Sequence, residues 1–513
     1  MTAAEEQREQ PAAHPFRARQ ISVCYPSGPS SGYMLGCLLP VITQELPHWT
    51  LGVAHPTSGP GHSEDAPHVE IGSIQWSDYD YIQWDFIKSS PRHTLFNAYP
   101  IRKALIRKNY LIKAVESYAI KNNVRLEDGI AVPKSYTFAL SFPDELDELW
   151  ADELYDLSED LNSNNGGSDK KVWILKPALA DKGQGIRLFR TKDELYAIFE
   201  QLEEDEESHN QSHSSDEEAG EEEDTSYHQK TWVPVSQMRD WIIQEYISNP
   251  LLRHPRVPQS YDIHSPLDRS SFHKHHLRVY VLAVGALSVY VYKDILTLFS
   301  SKPYSMDDLE DLRVHLTNTC LQEDGAPKNG ETGQQEQHNV PVSIDEHPRE
   351  VTEQIDKIVS QIFSFIPQND PINFQLLPNS FEVFGLDFLV DDRLQVWLLE
   401  VNAGPDFSQT GDTFQPIITE LFRNVVRVLK LEYPELLGHD EGGGGGAKDR
   451  ADKIVEKAGL TAPSLSSSCD RLTLQDSSPV LLDHTVNTSL TAPSTPPPGF
   501  RKVLHLQTGL SFR

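Results

Sequence analysis

The sequence predicts an α+β fold: two α/β lobes, preceded by a smaller N-terminal α/β domain, with a disordered acidic loop and a disordered C-terminal tail. Three observations carry this expectation. Gly385–Asn402 reads as a hairpin, two apolar β-prone runs joined by a turn at Asp391-Asp392-Arg393. Leu175–Ile186 joins one strand to another through a loop holding Gly183 and Gly185. Trp241–Ile247 has the pattern of a further buried strand, and helical patterns at 101–121, 351–365 and 414–431 supply the α component.

Along the chain, residues 1–16 read as a loose arm and 17–140 as the N-terminal domain, with short strand-like runs such as Gln20–Tyr25 between Pro/Gly turns. The helix expected at 101–121 carries Arg102, Lys103, Arg107, Lys108 and Lys113. It is either an ordinary amphipathic helix with solvated lysines or a docking surface for an anionic partner or nucleotide phosphate. Residues 141–245 form the central lobe, interrupted by an acidic insert at 203–226. Residues 246–437 form the C-terminal lobe, with strands at 277–284 and 287–292 around a Gly285-Ala286 turn and a polar insert at 321–340. Beyond Leu437 come five consecutive glycines and then a Ser/Thr/Pro-rich stretch, so 438–513 is expected to be disordered apart from a short helix at 447–459.

Charge narrows the function classes. The formal net charge is −31, and residues 203–224 hold twelve acidic groups with no Lys or Arg, leaving −19 for the remainder. A general nucleic-acid binder should be basic, so that class is disfavoured. The acidic run reads as a solvated loop, the alternative being recruitment of a basic partner. The four cysteines, Cys24, Cys37, Cys320 and Cys469, lack ligand-like spacing, which argues for a reducing compartment and against structural zinc. No apolar stretch approaches the roughly 20 residues of a membrane span, and the N-terminus is polar. The expected location is the cytoplasm.

The motifs carry the chemistry. A hairpin centred between Arg393 and Leu394 sets Asp387 opposite Glu400, and Asn402 shares the face of Glu400. Two carboxylates and an amide oxygen on rigid strands suit Mg²⁺ carrying nucleotide phosphates; the bland reading is a solvated strand face. Gly183 and Gly185 let the backbone approach a phosphate and aim amides at it, while Lys176 and Lys182 supply charge. A plain turn is the other reading, since a Walker loop would open a helix. At the end of the strand through Ile247, backbone groups could hold an adenine edge, although alone this segment is ordinary core.

The order of phosphate lysine and loop, hinge, and metal carboxylates resembles the ATP-grasp fold, and the segments resemble the tubulin–tyrosine ligase family over about residues 80–430. The likeness starts at Arg102-Lys-Ala-Leu105 and Ala131–Thr137. It continues through Trp173–Pro177, Asp181–Ile186, Gln244–Leu252, Lys274–Val281, Ser300–Tyr304, His315–Thr319, Phe381–Asp387 and Glu400–Pro405. This looks like a divergent, fungal-looking member. The resemblance implies that Lys176, Lys182, Gly183, Gln184 and Gly185 hold the phosphates of ATP, that Gln244, Tyr246 and Ile247 face the adenine, and that Lys274 lies near the base or ribose. It assigns Mg²⁺ to Asp387, Glu400 and Asn402, and catalytic roles to Arg278 and Lys176. The implied reaction is phosphorylation of a carboxylate by ATP, followed by attack of an amine on the acyl-phosphate.

The implied partners are an amino acid and a protein acceptor, with a tubulin C-terminal tail as the default. Three positions depart from the family pattern: His276 replaces an acidic residue, Leu298 an arginine and Glu245 a lysine. They motivate two alternatives, a nucleotide-sensitive scaffold in cytoplasmic mRNA granules and an ATP-grasp kinase.

Overall fold

A computed structural model describes residues 19–55, 74–85, 94–163, 171–179, 183–212, 238–255, 269–317, 342–344, 347–437 and 499–506. The chain groups into two compact units, residues 1–82 with 415–499, and residues 83–414 with 500–513. The N-terminal segment of the first unit ends at residue 82, well before the boundary expected at 140. The unit also takes the helix expected at 414–431 away from the C-terminal lobe.

In the first unit, the apolar run after Gln20 forms β1 (Gln20–Cys24), buried from Ile21 onward. It lies between two parallel neighbours, β2 (Thr50–Ala54) and β3 (Ile74–Ser77). The helix Gln415–Glu432 buries Ile418, Leu421, Phe422, Val425 and Leu429, an i, i+3/i+4 stripe. Phe422 meets Trp76 of β3 edge-on at 5.8 Å. Its polar face carries Arg427 and Lys430 to Glu45 at the end of the helix Pro29–Glu45.

Among the described residues, the second unit carries two sheets. After the short β4 (Leu95–Phe96) come β5 (Ser135–Ala139), β6 (Trp173–Pro177), β7 (Arg187–Phe189) and β8 (Asp240–Glu245). These four form an antiparallel sheet in the order β5-β8-β6-β7. Trp173, Phe189 and Trp241 point to the same side and pack with Phe199 and Leu202 of the helix Lys192–Ser212.

The larger sheet is built on β9 (His275–Val284). On one side β9 pairs with β13 (Phe381–Val390), which pairs in turn with β14 (Val396–Ala403). The other side is shared end to end by β10 (Ser288–Tyr292) and β11 (Leu296–Phe299). Outside them lie β15 (Phe500–His505) against β10 and β12 (Val342–Ile344) against β11. The helix Arg349–Asn369 covers one face with Val351, Ile355, Ile358, Val359, Ile362, Phe363 and Ile366. Alternation in the strands therefore leaves the opposite face for the site.

Three local expectations are corrected. The single helix expected at 101–121 is two, Lys103–Ile106 and Lys108–Asn122, separated by Arg107 in an extended conformation (φ −93°, ψ 119°). Tertiary contacts set the break: the Ala104 amide donates to Asn373 O, and Leu105 is fully buried. The acidic insert begins later than expected, because the helix from Lys192 runs to Ser212. Thr191 Oγ1 accepts from the Glu194 amide at its start, Leu202 is buried, and the Glu-rich sequence has good helix propensity. The third correction is β15, an ordered strand inside the tail expected to be disordered. Residues 1–16, the rest of the acidic insert, the insert at 321–340 and the helix expected at 447–459 lie outside the described residues. Among the described residues, no helix is long and apolar enough to cross a membrane.

Candidate active site

The expected pairing of Asp387 with Glu400 is present, and Gly385 stands opposite Asn402, but the turn is centred on Arg393 rather than between Arg393 and Leu394. Strict alternation from Val396 and Leu398, both in the core, would have turned Glu400 into the core as well. A β-bulge after Asp387 prevents this, because Phe388 pairs with Leu398 and leaves Leu399 as the extra residue. Val401 then returns to the core while Glu400 and Asn402 line a cavity of about 300 Å³. The turn is held by Asp391, whose Oδ1 accepts from the amides of Arg393 and Gln395.

On its other edge β13 sets Asp387 beside Arg278 of β9. The guanidinium grips the carboxylate with two bonds, Nε to Oδ1 at 2.5 Å and Nη2 to Oδ2 at 3.0 Å. A Cβ at Gly385 would lie 3.0 Å from Pro405 Cβ and 3.2 Å from Arg278 Cδ, so glycine there keeps room for the arginine stem. Asn402 Nδ2 donates to Asp387 Oδ2 and Glu400 Oε1, each at 3.3 Å. Lys108 Nζ reaches Glu400 Oε2 at 3.3 Å.

β6 and β8 supply the facing wall. Lys176 Nζ donates to Gln244 Oε1 at 2.8 Å, and Gln244 Nε2 donates to Ser135 Oγ at 3.0 Å. Gly183 and Gly185 adopt left-handed conformations, φ 79° and 69°, in the loop before β7. Gly183, Gln184 and Ile247 line the cavity. Tyr246 turns its ring beneath Lys274 Nζ, 4.0 Å from the centroid. Its amide donates to Val172 O, so that group is not offered to a ligand. His315 Nε2 donates to Asp308 O, which leaves Nδ1 to accept from the Tyr246 hydroxyl at 3.0 Å.

Burial and neighbours set the protonation states. Burial lowers Lys176 to about 8, with Glu400 opposing. Burial and then Lys176 lower Lys274 to about 7. Burial, reinforced by Arg278, pushes His276 down to about 3, so it is a neutral ring held by Thr317 Oγ1 at 2.5 Å. Burial works against the charge on Arg278, but Asp387 outweighs it and raises the pKa. Burial raises Asp387, with Arg278 pulling the other way; burial also opposes ionisation of Glu400, yet Lys108 and Lys176 hold it down.

The structure thus gathers Lys176, Gly183, Gln184, Gln244, Tyr246, Ile247, Lys274, Arg278, Asp387, Glu400 and Asn402 around one cavity. Gly185 lies in the same loop, and Lys182 falls outside the described residues. Sequence reasoning left Lys108 either on an ordinary solvated helix or on a docking surface for an anionic partner or nucleotide phosphate; it lines the cavity. Arg102 is also removed from that surface: it pairs at 2.8 Å with the buried Glu382. The helix break at Arg107 gave no local sequence signal. His276, Leu298, His315 and Thr317 line the cavity too; the first two were singled out from sequence as departures from the family pattern, and the last two lie in the quoted segment His315–Thr319 without an assigned role.

The donor set fits a divalent cation with a nucleotide polyphosphate. Asp387 and Glu400 offer hard carboxylate oxygens in one cluster bridged by Asn402 Nδ2, and Lys108 and Lys176 face them. A model of the tubulin-tyrosine ligase family matches residues 87–435. The chain belongs to that family. The family member Pby1 of Saccharomyces cerevisiae, a probable tubulin–tyrosine ligase, is 37% identical over 370 residues, 70% of this chain but only 46% of that relative. A probable tubulin–tyrosine ligase of Schizosaccharomyces pombe is 37% identical over 372 residues, 71% of this chain and 84% of the relative. A probable tubulin polyglutamylase of Bos taurus is 25% identical over 388 residues, 72% of this chain and 75% of the relative. The C-terminal domain of K. lactis Pby1, described as an ATP-grasp enzyme interacting with the mRNA decapping enzyme Dcp2, superposes with a TM-score of 0.51 at 29% identity. That match covers 83% of this chain and 97% of the domain. The chain therefore has the ATP-grasp fold, which implies binding of ATP and a divalent metal.

Proposed function

We propose that this family member is an ATP-dependent carboxylate–amine ligase that adds an amino acid to a protein carboxyl group. The row Arg278–Asp387–Glu400 across three strands carries the reading, because it sets an anion-binding fork directly beside the metal carboxylates. A carboxylate oxygen of the substrate attacks the γ-phosphorus of ATP, releasing ADP and forming an acyl-phosphate. An amine then attacks the acyl carbon, and phosphate leaves as the amide forms. A bound Mg²⁺ would supply neutralisation of phosphate charge. Asp387, Glu400 and Asn402 would hold it; Lys176, Lys108 and the Gly183–Gly185 loop would hold phosphates; Arg278 would orient the acyl-phosphate. Gln244 and Ile247 would border the adenine.

The deciding experiment is ATP turnover with a panel of amino acids and acidic-tail peptides, including tubulin tails, followed by mass spectrometry. A peptide gaining one tyrosine, glutamate or glycine residue supports ligation. A gain of one phosphoryl group instead would identify a kinase, and no acceptor-dependent ADP release would end the ligase reading.

A second reading has a specific observation behind it. The K. lactis Pby1 domain is described as interacting with a decapping enzyme, and His276 and Leu298 occupy positions where the family pattern has charged groups. A nucleotide-sensitive scaffold in cytoplasmic mRNA granules accounts for both, and tight ATP binding without turnover would favour it.

Two further results are expected at this site. Lys108→Ala should raise the apparent KM for ATP about tenfold, roughly 1.4 kcal/mol, through loss of one charge-assisted contact. An unchanged KM would return Lys108 to a structural role beside Glu400. ATP binding should also take up protons at pH 8. Lys274 and Lys176, lowered to about 7 and 8, are partly neutral there, and phosphates restore their charge. Affinity should accordingly fall as pH rises through that range. Calorimetry at pH 8 in two buffers of different ionisation enthalpy measures the uptake; equal heats would contradict it.

A further inference from the structure

β10 is an unusual strand to find beside a sheet edge. Its sequence, Ser-Val-Tyr-Val-Tyr, has no charge and no proline, and all five residues are buried. Natural edge strands are blunted by such residues because an open, apolar edge pairs with other chains. What covers it is Phe500–His505, which reaches the rest of the chain only through residues 438–498.

The contact has the features of strand recognition. Five residue pairs run from Ser288–His505 to Tyr292–Phe500, and the Leu506 amide extends the ladder to Leu287 O. Phe500 is 4% exposed and packs edge-on against Tyr290 and Tyr292, with ring centroids 6.2 and 5.2 Å away. Arg501 forks onto Asp356 of the helix Arg349–Asn369, with bonds of 3.0 and 2.8 Å. Ser288 Oγ and His505 Nδ1 are 2.9 Å apart at the far end. By contrast Lys502 and His505 are exposed, and Arg501, Val503, Leu504 and Leu506 are half-buried. Main-chain pairing thus supplies contact along the edge, while Phe500 and Arg501 read side-chain features of the body.

We propose that the outer edge of β10, with Asp356, is a binding site for an extended peptide, and that the chain's own Phe500–Leu506 is its detachable occupant. The site takes an aromatic residue followed by arginine at the start of the strand, and an equivalent segment from a second copy can fill it by strand exchange. This inference is independent of the reaction proposed above.

The test uses the full chain with a protease site placed between residues 455 and 470, cleaved after folding. The C-terminal fragment should co-elute with the body and exchange saturably with a labelled peptide spanning residues 497–513. A peptide carrying Arg501→Glu should bind at least tenfold more weakly, and Asp356→Lys in the body should restore its binding. If the body precipitates when the fragment is removed, rescue by the natural peptide and not by the Arg501→Glu peptide supports the site equally. A folded, monomeric body that binds neither fragment nor peptide overturns the proposal, as does equal binding of a peptide with residues 500–506 scrambled.

Discussion

Glu400→Ala is expected to lower acceptor-dependent ADP release by about a thousandfold or more while the protein stays folded. Glu400 is a more informative target than Asp387. Its side chain is 26% exposed and faces Lys108, so truncation leaves cations that water can reach. Asp387 is 8% exposed and neutralises Arg278, itself 12% exposed. Removing it strands a buried guanidinium, which costs about 3–5 kcal/mol by itself and mixes instability with lost chemistry. The measurement is a coupled ADP assay over a range of Mg²⁺ concentrations, with an unfolding midpoint for each variant. Undiminished release by folded Glu400→Ala would remove Glu400 from the metal-binding set.

Arg102→Ala should be among the most destabilising single changes, costing about 3–5 kcal/mol, although it lies outside the cavity. Arg102 Nε pairs at 2.8 Å with Glu382, which is 3% exposed and also accepts from the Tyr99 amide at 2.9 Å. Alanine leaves a buried carboxylate with a single backbone donor. The Tyr99 ring, fully buried, anchors the same corner through its hydroxyl on Gly285 O. Urea unfolding checks the size of the loss. Arg102→Met combined with Glu382→Leu should recover most of it, since an apolar pair of similar volume carries no uncompensated charge. A loss below about 1 kcal/mol for Arg102→Ala would place the pair in water-screened surroundings.

Much of the candidate site was readable because it depends on local rules. The turn at Asp391–Arg393 closes the hairpin between the two expected strands, although its own register would set Asp387 against Leu399 and the bulge after Asp387 is what sets it against Glu400. The Gly-x-Gly spacing announced a loop between two strands, and Gly183 and Gly185 take left-handed conformations in it. The helix break that places Lys108 escaped the same reasoning. The nearest sequence neighbours of that lysine suggest one continuous helix, whereas the break at Arg107 depends on Asn373, far along the chain. Phe500–His505 escaped for a similar reason: six strand-forming residues after a Ser/Thr/Pro-rich stretch carry no signal until β10 offers an edge.

By itself, then, the sequence determined the α+β class, the two carboxylates and the amide of the hairpin, and the order of lysine, glycine loop and hinge, because turn chemistry and alternation act over a few residues. Only the tertiary structure decided which face those groups occupy. The bulge at Leu399 reverses the alternation so that Val396 and Leu398 stay in the core while Glu400 meets Lys108 and Lys176 across the cavity. A bulge is selected by the simultaneous demands of core packing on one face and charge pairing on the other, and neither demand exists until the strands and helices meet.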